Sequence, residues 1–240
     1  MSLLKATKKH NLIIKQITNF LYKNYTFVLF RINNLKPFLV KSDIYSDFGE
    51  DLVISRNFNM KAISYVDIGA GHPIIGSNTY LFYKNGCSGV IVEPIKFHYR
   101  LHKFFRRRDT QINRLVDENG KIVEFYEFNP TQYSTASKDE YDQMIKSGMK
   151  ERRRYLVEAI SINTIMKEFT TGDYFLSIDC EGYDYDIIKA IKWPDIKKPV
   201  AIIHEITKDE IKAQELENIM SKNGYIEIFK SKNNLVYKLK

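Results

Sequence analysis

An open α/β sheet, mostly parallel, with helices on both faces and an antiparallel hairpin at its C-terminal end, is the fold class this 240-residue sequence predicts. Three observations predict it. From about residue 62 onward, short runs rich in Val, Ile, Phe and Tyr alternate with helix-length segments; the run AISYVDI ends in an acid followed by two glycines; and the last two strand-like runs are separated only by a short polar turn. A 44% hydrophobic content supplies a substantial core, which excludes general disorder.

The elements follow in order. AISYVDI (62–68) reads as a buried strand, SNTYLFYKNG (77–86) as a helix stopped by Gly86, and SGVIVEP (88–94) as a second strand. FHYRLHKFFRRR (97–108) is a helix with a basic end, DTQINRLV (109–116) holds a third short strand, and KIVEFYEF (121–128) is a strand by its alternation. The serine-rich NPTQYSTASKDEY reads as a loop. Then come a strand at 155–160, the helix SINTIMKEFT, the strand DYFLSID (173–179), a helix ended by Pro194, the strand PVAIIHEI (199–206) and a helix over 208–224. YIEIFK and NLVYKLK close the chain as a hairpin.

Charge divides the chain. Residues 1–42 hold eight Lys or Arg and no Asp or Glu, so they carry the whole formal charge of +8 and leave 29 basic against 29 acidic residues beyond. The boundary falls near residues 37–43, giving a basic N-terminal helical segment (1–42) and a main domain (43–240). A formally neutral main domain disfavours a nucleic-acid tracker, whose charge would line its binding face. Charges interrupt the leader every few positions, so it has no run near the roughly 20 apolar residues needed to span a bilayer, nor the cleavage pattern of a secretory signal. Two readings fit it: a basic amphipathic helix on an anionic membrane surface or a partner, and an extra helix packed on the domain with its lysines in water. Cys87 and Cys180 are too few for a disulfide framework and read as small apolar side chains in a reducing, cytoplasmic setting.

The stretch YVDIGAGHP (65–73) carries the ligand argument. In an open parallel sheet the first strand-to-helix turn is where a nucleotide-like ligand meets the backbone, and glycines at 69 and 71 permit a tight turn and remove side chains from its path. Ile74 stands where a dinucleotide fingerprint needs its third glycine, and no triphosphate-binding loop exists, so a phosphate cradle is disfavoured. Glu93, 22 residues beyond Gly71, is placed to accept from both hydroxyls of a ribose. S-adenosylmethionine, an adenosine without phosphates, fits. The cofactor-side candidates are Asp67, Gly69, Ala70, Gly71, His72, Asn78, Thr79, Glu93, Pro94, Asn113 and Asp179. Asn78 and Thr79 serve equally as caps of the first helix.

YSDFGEDLVI (45–54), YVDIGAGHPIIGSNTYLFYKNG (65–86), VIVEP (90–94), NPTQYSTASKDE (129–140) and LSIDCEGYDYDIIKAI (176–191) together resemble the FkbM-type S-adenosylmethionine-dependent methyltransferases. The likeness covers roughly residues 43–240 and leaves the leader unexplained. It implies a seven-stranded class I methyltransferase sheet, Rossmann-like, and O-methylation of sugar or polyketide hydroxyls. Asp47 departs from the glutamine that relatives often carry there. Asp179 matches the acid of the family's I-D-x-E-G motif.

An alcohol is a poor nucleophile at neutral pH, so a base or a metal has to take its proton. Asp179 and Glu181, two apart at a strand exit, and His204 are the catalytic candidates, Asp179 first, with His204 as a base. Asp184 reads equally as a helix-start acid. Magnesium on Asp179, Glu181 and Glu205 is the less favoured alternative. The basic runs Arg106–Arg108 and Arg152–Arg154 read as solvated faces or as contacts to an anionic acceptor. The sequence therefore predicts an O-methyltransferase for a saccharide or glycolipid, at the inner face of a membrane if residues 1–42 attach it. An RNA ribose methyltransferase and a non-catalytic partner-binding domain are the alternatives.

Overall fold

The computed structural model describes residues 44–118 and 121–240; the basic leader and the 37–43 boundary lie outside the described residues. The first helix, α1 (Glu50–Asn57), precedes β1 (Ile63–Ile68), α2 (Tyr80–Lys84), β2 (Val90–Val92), α3 (Lys96–Phe105) and β3 (Thr110–Ile112). After β4 (Leu115–Val116), β5 (Ile122–Phe128), α4 (Lys138–Lys146) and β6 (Glu151–Ile160), the alternation resumes with α5 (Ile162–Glu168), β7 (Asp173–Ile178) and α6 (Asp184–Lys189). β8 (Ala201–Glu205), α7 (Glu210–Lys222), β9 (Tyr225–Lys230) and β10 (Asn234–Leu239) complete the chain.

Seven strands form one sheet in the order β3-β2-β1-β7-β8-β10-β9. The first five run parallel, and β10 is antiparallel to both β8 and β9, so the C-terminal hairpin is present. This is the class I methyltransferase arrangement, a Rossmann-like sheet whose strand order reverses between β1 and β7. In such sheets the crevice opens outside the carboxyl ends of the strands at that reversal.

Its central strands are buried almost end to end, as strands covered by helices on both faces must be. Alternate residues feed two cores. Val66, Ile68, Leu176 and Ile202 pack with Ile165, Ile188, Leu216 and Met220 of α5, α6 and α7. Tyr65, Phe175 and Ile203 pack on the other face with Ile54 of α1 and Leu81 and Phe82 of α2.

Residues 115–160 depart from the expected plan. The predicted strand over 109–116 is two strands, because Asn113 and Arg114 turn the chain between them. β4, β6 and β5 form a separate three-stranded sheet, with β5 antiparallel to β6 through Val123↔Val157 and Tyr126↔Arg154. β6 leaves five of its ten residues exposed and β5 two of its seven, a pattern the doubly covered centre of the main sheet could not accept. The expected loop at 129–141 contains a 3₁₀ turn (Thr131–Tyr133) and the start of α4, whose N-terminus is capped where Ser137 Oγ accepts from the Glu140 amide at 3.3 Å.

Candidate active site

The glycine turn after β1 answers to two different neighbours. At Gly69, φ is +74° and a Cβ would collide with the backbone carbonyl of Asp179, so this glycine makes room for the protein's own chain rather than for a ligand. The two strands end together there: the Asp179 amide donates to the Ile68 carbonyl at 3.0 Å. At Gly71, φ is +54° and a Cβ would meet nothing closer than the Gly69 carbonyl at 3.9 Å. Gly71 therefore leaves open space at the wall of a cavity of about 870 Å³.

Glu93 lies against that space. It is 3% exposed; one carboxylate oxygen accepts from the Gly71 amide at 2.8 Å and the other from the Ile95 amide at 2.7 Å. Burial pushes its pKa up to about 8, against the pull of those two amides. Asn113 does not line the cavity; its side-chain amide donates to the carbonyls of Glu93 (2.8 Å) and Pro94 (3.0 Å) and so holds the acid's loop from behind. His72 lines the wall, and its Nδ1 accepts from the amides of Ile74 and Ile75, closing the turn after Pro73. Burial, with His98 nearby, lowers its pKa to about 4.

Asp67, Asn78 and Thr79 face away from the cavity. Thr79 Oγ1 donates to the Asp67 carboxylate at 2.5 Å, Asn78 donates to Ser177 Oγ at 3.1 Å, and Arg106 donates to Thr79 Oγ1 at 2.9 Å. All are buried. They brace the back of the glycine turn, and Ala70 is tied into the same turn by its amide to the Val92 carbonyl.

Next to the glycine turn, Asp179, Glu181 and Glu205 line the same cavity where β7 and β8 end. Glu181 adopts φ +48°, left-handed for a residue with a side chain, and Gly182 follows at φ +86°. Backbone held there costs on the order of 1 kcal/mol or more and persists where its surroundings fix it. Three contacts fix it: Thr135 Oγ1 donates to the Glu181 carbonyl at 2.9 Å, and Asp184 accepts from the Cys180 and Glu205 amides, both at 2.9 Å. Asp184 is thus a clamp between two loops more than a helix-start acid. Asp179 is open to the cavity yet ringed by protein and acids. Burial and then the charge of Glu205 push its pKa up to about 7; burial and then Asp179 push Glu181 up to about 9. Burial raises Glu205 as well.

His204 does not join them. Side chains alternate across a strand, so the neighbour of cavity-facing Glu205 points to the other face. There the ring is 1% exposed and lies parallel to Tyr237, with centroids 5.6 Å apart. Burial lowers its pKa to about 4, and it has no access to an acceptor's proton, so its assignment as base is corrected. Among the described residues, no group of three or more His, Cys, Asp or Glu side chains is arranged to hold a metal ion.

Spacing did not reveal the arm's share of the site. Tyr133 and Glu140, from the stretch read as a loop, and Gln143 just beyond it line the cavity. The signals there were the clustering of polar side chains and the place of NPTQYSTASKDE among the motifs of the resemblance. The arginine runs are partly engaged within the protein, with Arg107 and Arg108 exposed. Arg106 is fully buried on Asp109 at 2.7 Å, and Arg152 and Arg153 both pair with the buried carboxylate of Glu127.

The residues present fit a nucleoside: a bare glycine at φ +54°, a carboxylate beside it, and a cavity within the size range of small-molecule sites. A search among solved structures finds, among others, a precorrin-6y C5,15-methyltransferase from Geobacter metallireducens GS-15, 14% identical, with a TM-score of 0.40 over 80% of this chain and 87% of that one. Comparison with curated proteins finds no match. Residues 67–227 match the family described as the methyltransferase FkbM domain. That span is about two thirds of the sequence and contains both the glycine turn and the acids after β7, so the chain belongs to the FkbM family and is an S-adenosylmethionine-dependent methyltransferase.

Proposed function

We propose that this methyltransferase acts on a hydroxyl of a saccharide or glycoconjugate. The observation that carries the reading is that Asp179, Glu181 and Glu205 line the same cavity as Glu93 and Gly71. When bound, S-adenosylmethionine supplies an activated methyl group; the protein must orient the acceptor and take its proton. Glu93 and the open face of Gly71 would hold the ribose. Asp179, titrating near neutrality, suits the general base, since a catalytic group works best with a pKa near the working pH. Glu181 keeps its proton at neutral pH and so donates a hydrogen bond to a neighbouring hydroxyl, as a vicinal diol of a sugar would offer.

An acceptor without negative charge also agrees with the pairing of Arg106, Arg152 and Arg153 to internal carboxylates. The formal neutrality of residues 43–240 counts against RNA. Among the described residues no helix is long and apolar enough to cross a membrane; residues 1–42, in this reading, attach the enzyme to the anionic inner face of one. The test is incubation with methyl-labelled S-adenosylmethionine and a panel of neutral glycans, followed by mass spectrometry. Gain of one CH₂ on a sugar oxygen, lost with Asp179→Asn, is expected. Labelling of RNA ribose or of a nitrogen, with no sugar product, would reject the reading.

A further inference from the structure

We propose that His102 is a positioning residue for the cofactor: by holding the Gly71 carbonyl it fixes the turn from which Gly71 and Glu93 meet the nucleoside. The inference rests on the cofactor site assigned above. His102 lies on α3, fully buried, with Nε2 3.1 Å from the Gly71 carbonyl oxygen. A carbonyl only accepts, so Nε2 carries the hydrogen and the neutral ring leaves Nδ1 as a bare lone pair. That Nδ1 is buried without a partner among the described residues. A second proton there would be an unpaired donor near the Arg106 charge; burial first, and Arg106 second, hold the ring well below the usual histidine range.

The consequence concerns Gly71. Its amide and its carbonyl flank one Cα, and each has a single fixed partner: the amide donates to Glu93 at 2.8 Å and the carbonyl accepts from His102. Both backbone torsions are therefore set, at a φ of +54° that glycine otherwise samples along with many other values. A turn already ordered before the ligand arrives spares the ordering entropy of binding. His98, one helical turn earlier on α3, bonds Thr131 Oγ1 at 2.8 Å, so the same helix braces the glycine turn with one ring and the three-stranded arm with another.

Calorimetric titration of the full chain with S-adenosylhomocysteine tests this, comparing wild type, His102→Leu and His102→Gln. Leucine keeps bulk without a donor, whereas the glutamine amide can reach the place of Nε2. His102→Leu is expected to weaken binding about tenfold or more, the worth of roughly one hydrogen bond and its pre-ordering, and His102→Gln to return to within about threefold. Equal affinity in wild type and His102→Leu, even with a lower melting temperature, would reduce His102 to a packing residue. Equal weakness in both variants would also reject the role. If His102→Leu does not fold, nitrogen NMR of the wild-type ring decides: an Nε2–H tautomer unchanged from pH 8 to 5 is expected, and an Nδ1–H tautomer or protonation in that range overturns the proposal. A wild type that does not bind S-adenosylhomocysteine at all refutes the cofactor reading itself, a separate failure.

Discussion

Gly69 and Gly71 look alike in the sequence, yet their neighbours predict opposite outcomes for the same substitution. Gly69→Ala drives a methyl into the Asp179 backbone at a positive φ, so it should cost on the order of 3 kcal/mol of stability and be read as a lowered denaturant midpoint. Gly71→Ala meets open space and bears only the backbone strain of about 1 kcal/mol; it should fold, and lose S-adenosylhomocysteine affinity by more than about tenfold as the methyl fills the cradle. The acids make the second prediction at this scale. With Asp179 near 7 and Glu181 near 9, kcat/KM should rise as pH passes 7, where the base loses its proton, and fall near 9, where the donor ionises. Glu181→Gln should remove the alkaline fall, and Asp179→Asn should lower the rate about 10²- to 10⁴-fold above pH 7, the difference narrowing as pH falls below 7 and the wild-type base is itself protonated. Rate profiles with an accepted sugar would show whether the limbs move as stated. Glu93, Gly71 and Asp179 all line the cavity, where spacing placed them because each sits at the end of a strand. Facing was not readable. Asp67 and His204 are one position from residues that line the cavity, and a shift of one turns a strand side chain to the opposite face.

Among the elements, β1, β7 and β8 announced themselves as largely apolar runs, since strands covered on both faces need little polar side. KIVEFYEF was legible as a strand by its polar–apolar alternation, but not its place in a different sheet, where Phe125–Phe128 are buried and the strand's start stays open to water. α4 was hidden because its capping serine lies among other serines, and nothing in the spacing separates a cap from a loop residue. The arm these elements build is fastened at Glu127, whose buried carboxylate accepts from Arg152, Arg153 and Tyr155 at 2.8–2.9 Å. The two arginines are about half exposed, so they return to water cheaply when the acid is neutralised, whereas the acid cannot. Glu127→Gln should therefore cost under about 1 kcal/mol and Arg152→Gln with Arg153→Gln about 2 kcal/mol, measured by denaturant midpoints. The reverse order would mean that the arginines, not the carboxylate, carry the burial cost.

For the whole molecule, the site makes stability depend on pH in a set direction. Asp179, Glu93 and Glu181 have folded pKa values of about 7, 8 and 9, above the ordinary range near 4. The stability tied to their protonated forms is fully present below about pH 4 and is lost as pH rises through 7, 8 and 9. His72 and His204 act oppositely: folded values near 4 mean that their contribution is present above about 6.5 and lost as pH falls toward 4. Between pH 4 and 6.5 the two sets oppose each other. Above 6.5 the histidines no longer contribute to the slope, so stability should fall from pH 6.5 to 9, by an amount on the order of 3 kcal/mol once the openness of Asp179 to solvent is allowed for, and the melting temperature should fall with it. The double variant Asp179→Asn, Glu181→Gln should flatten most of that slope and, with Glu93 alone left to oppose the two histidines, uncover a loss of stability as pH falls below 6.5. Cofactor charge extends the argument. S-adenosylmethionine is a cation and S-adenosylhomocysteine is neutral at the sulfur, so a cation near ionising acids should be worth more as they lose protons. The stabilisation by the first relative to the second should widen from pH 6.5 to 9 in thermal scans at matched saturation. A gap that stays constant with pH would place the sulfur away from Asp179 and Glu181 and remove them from the reacting end of the cavity.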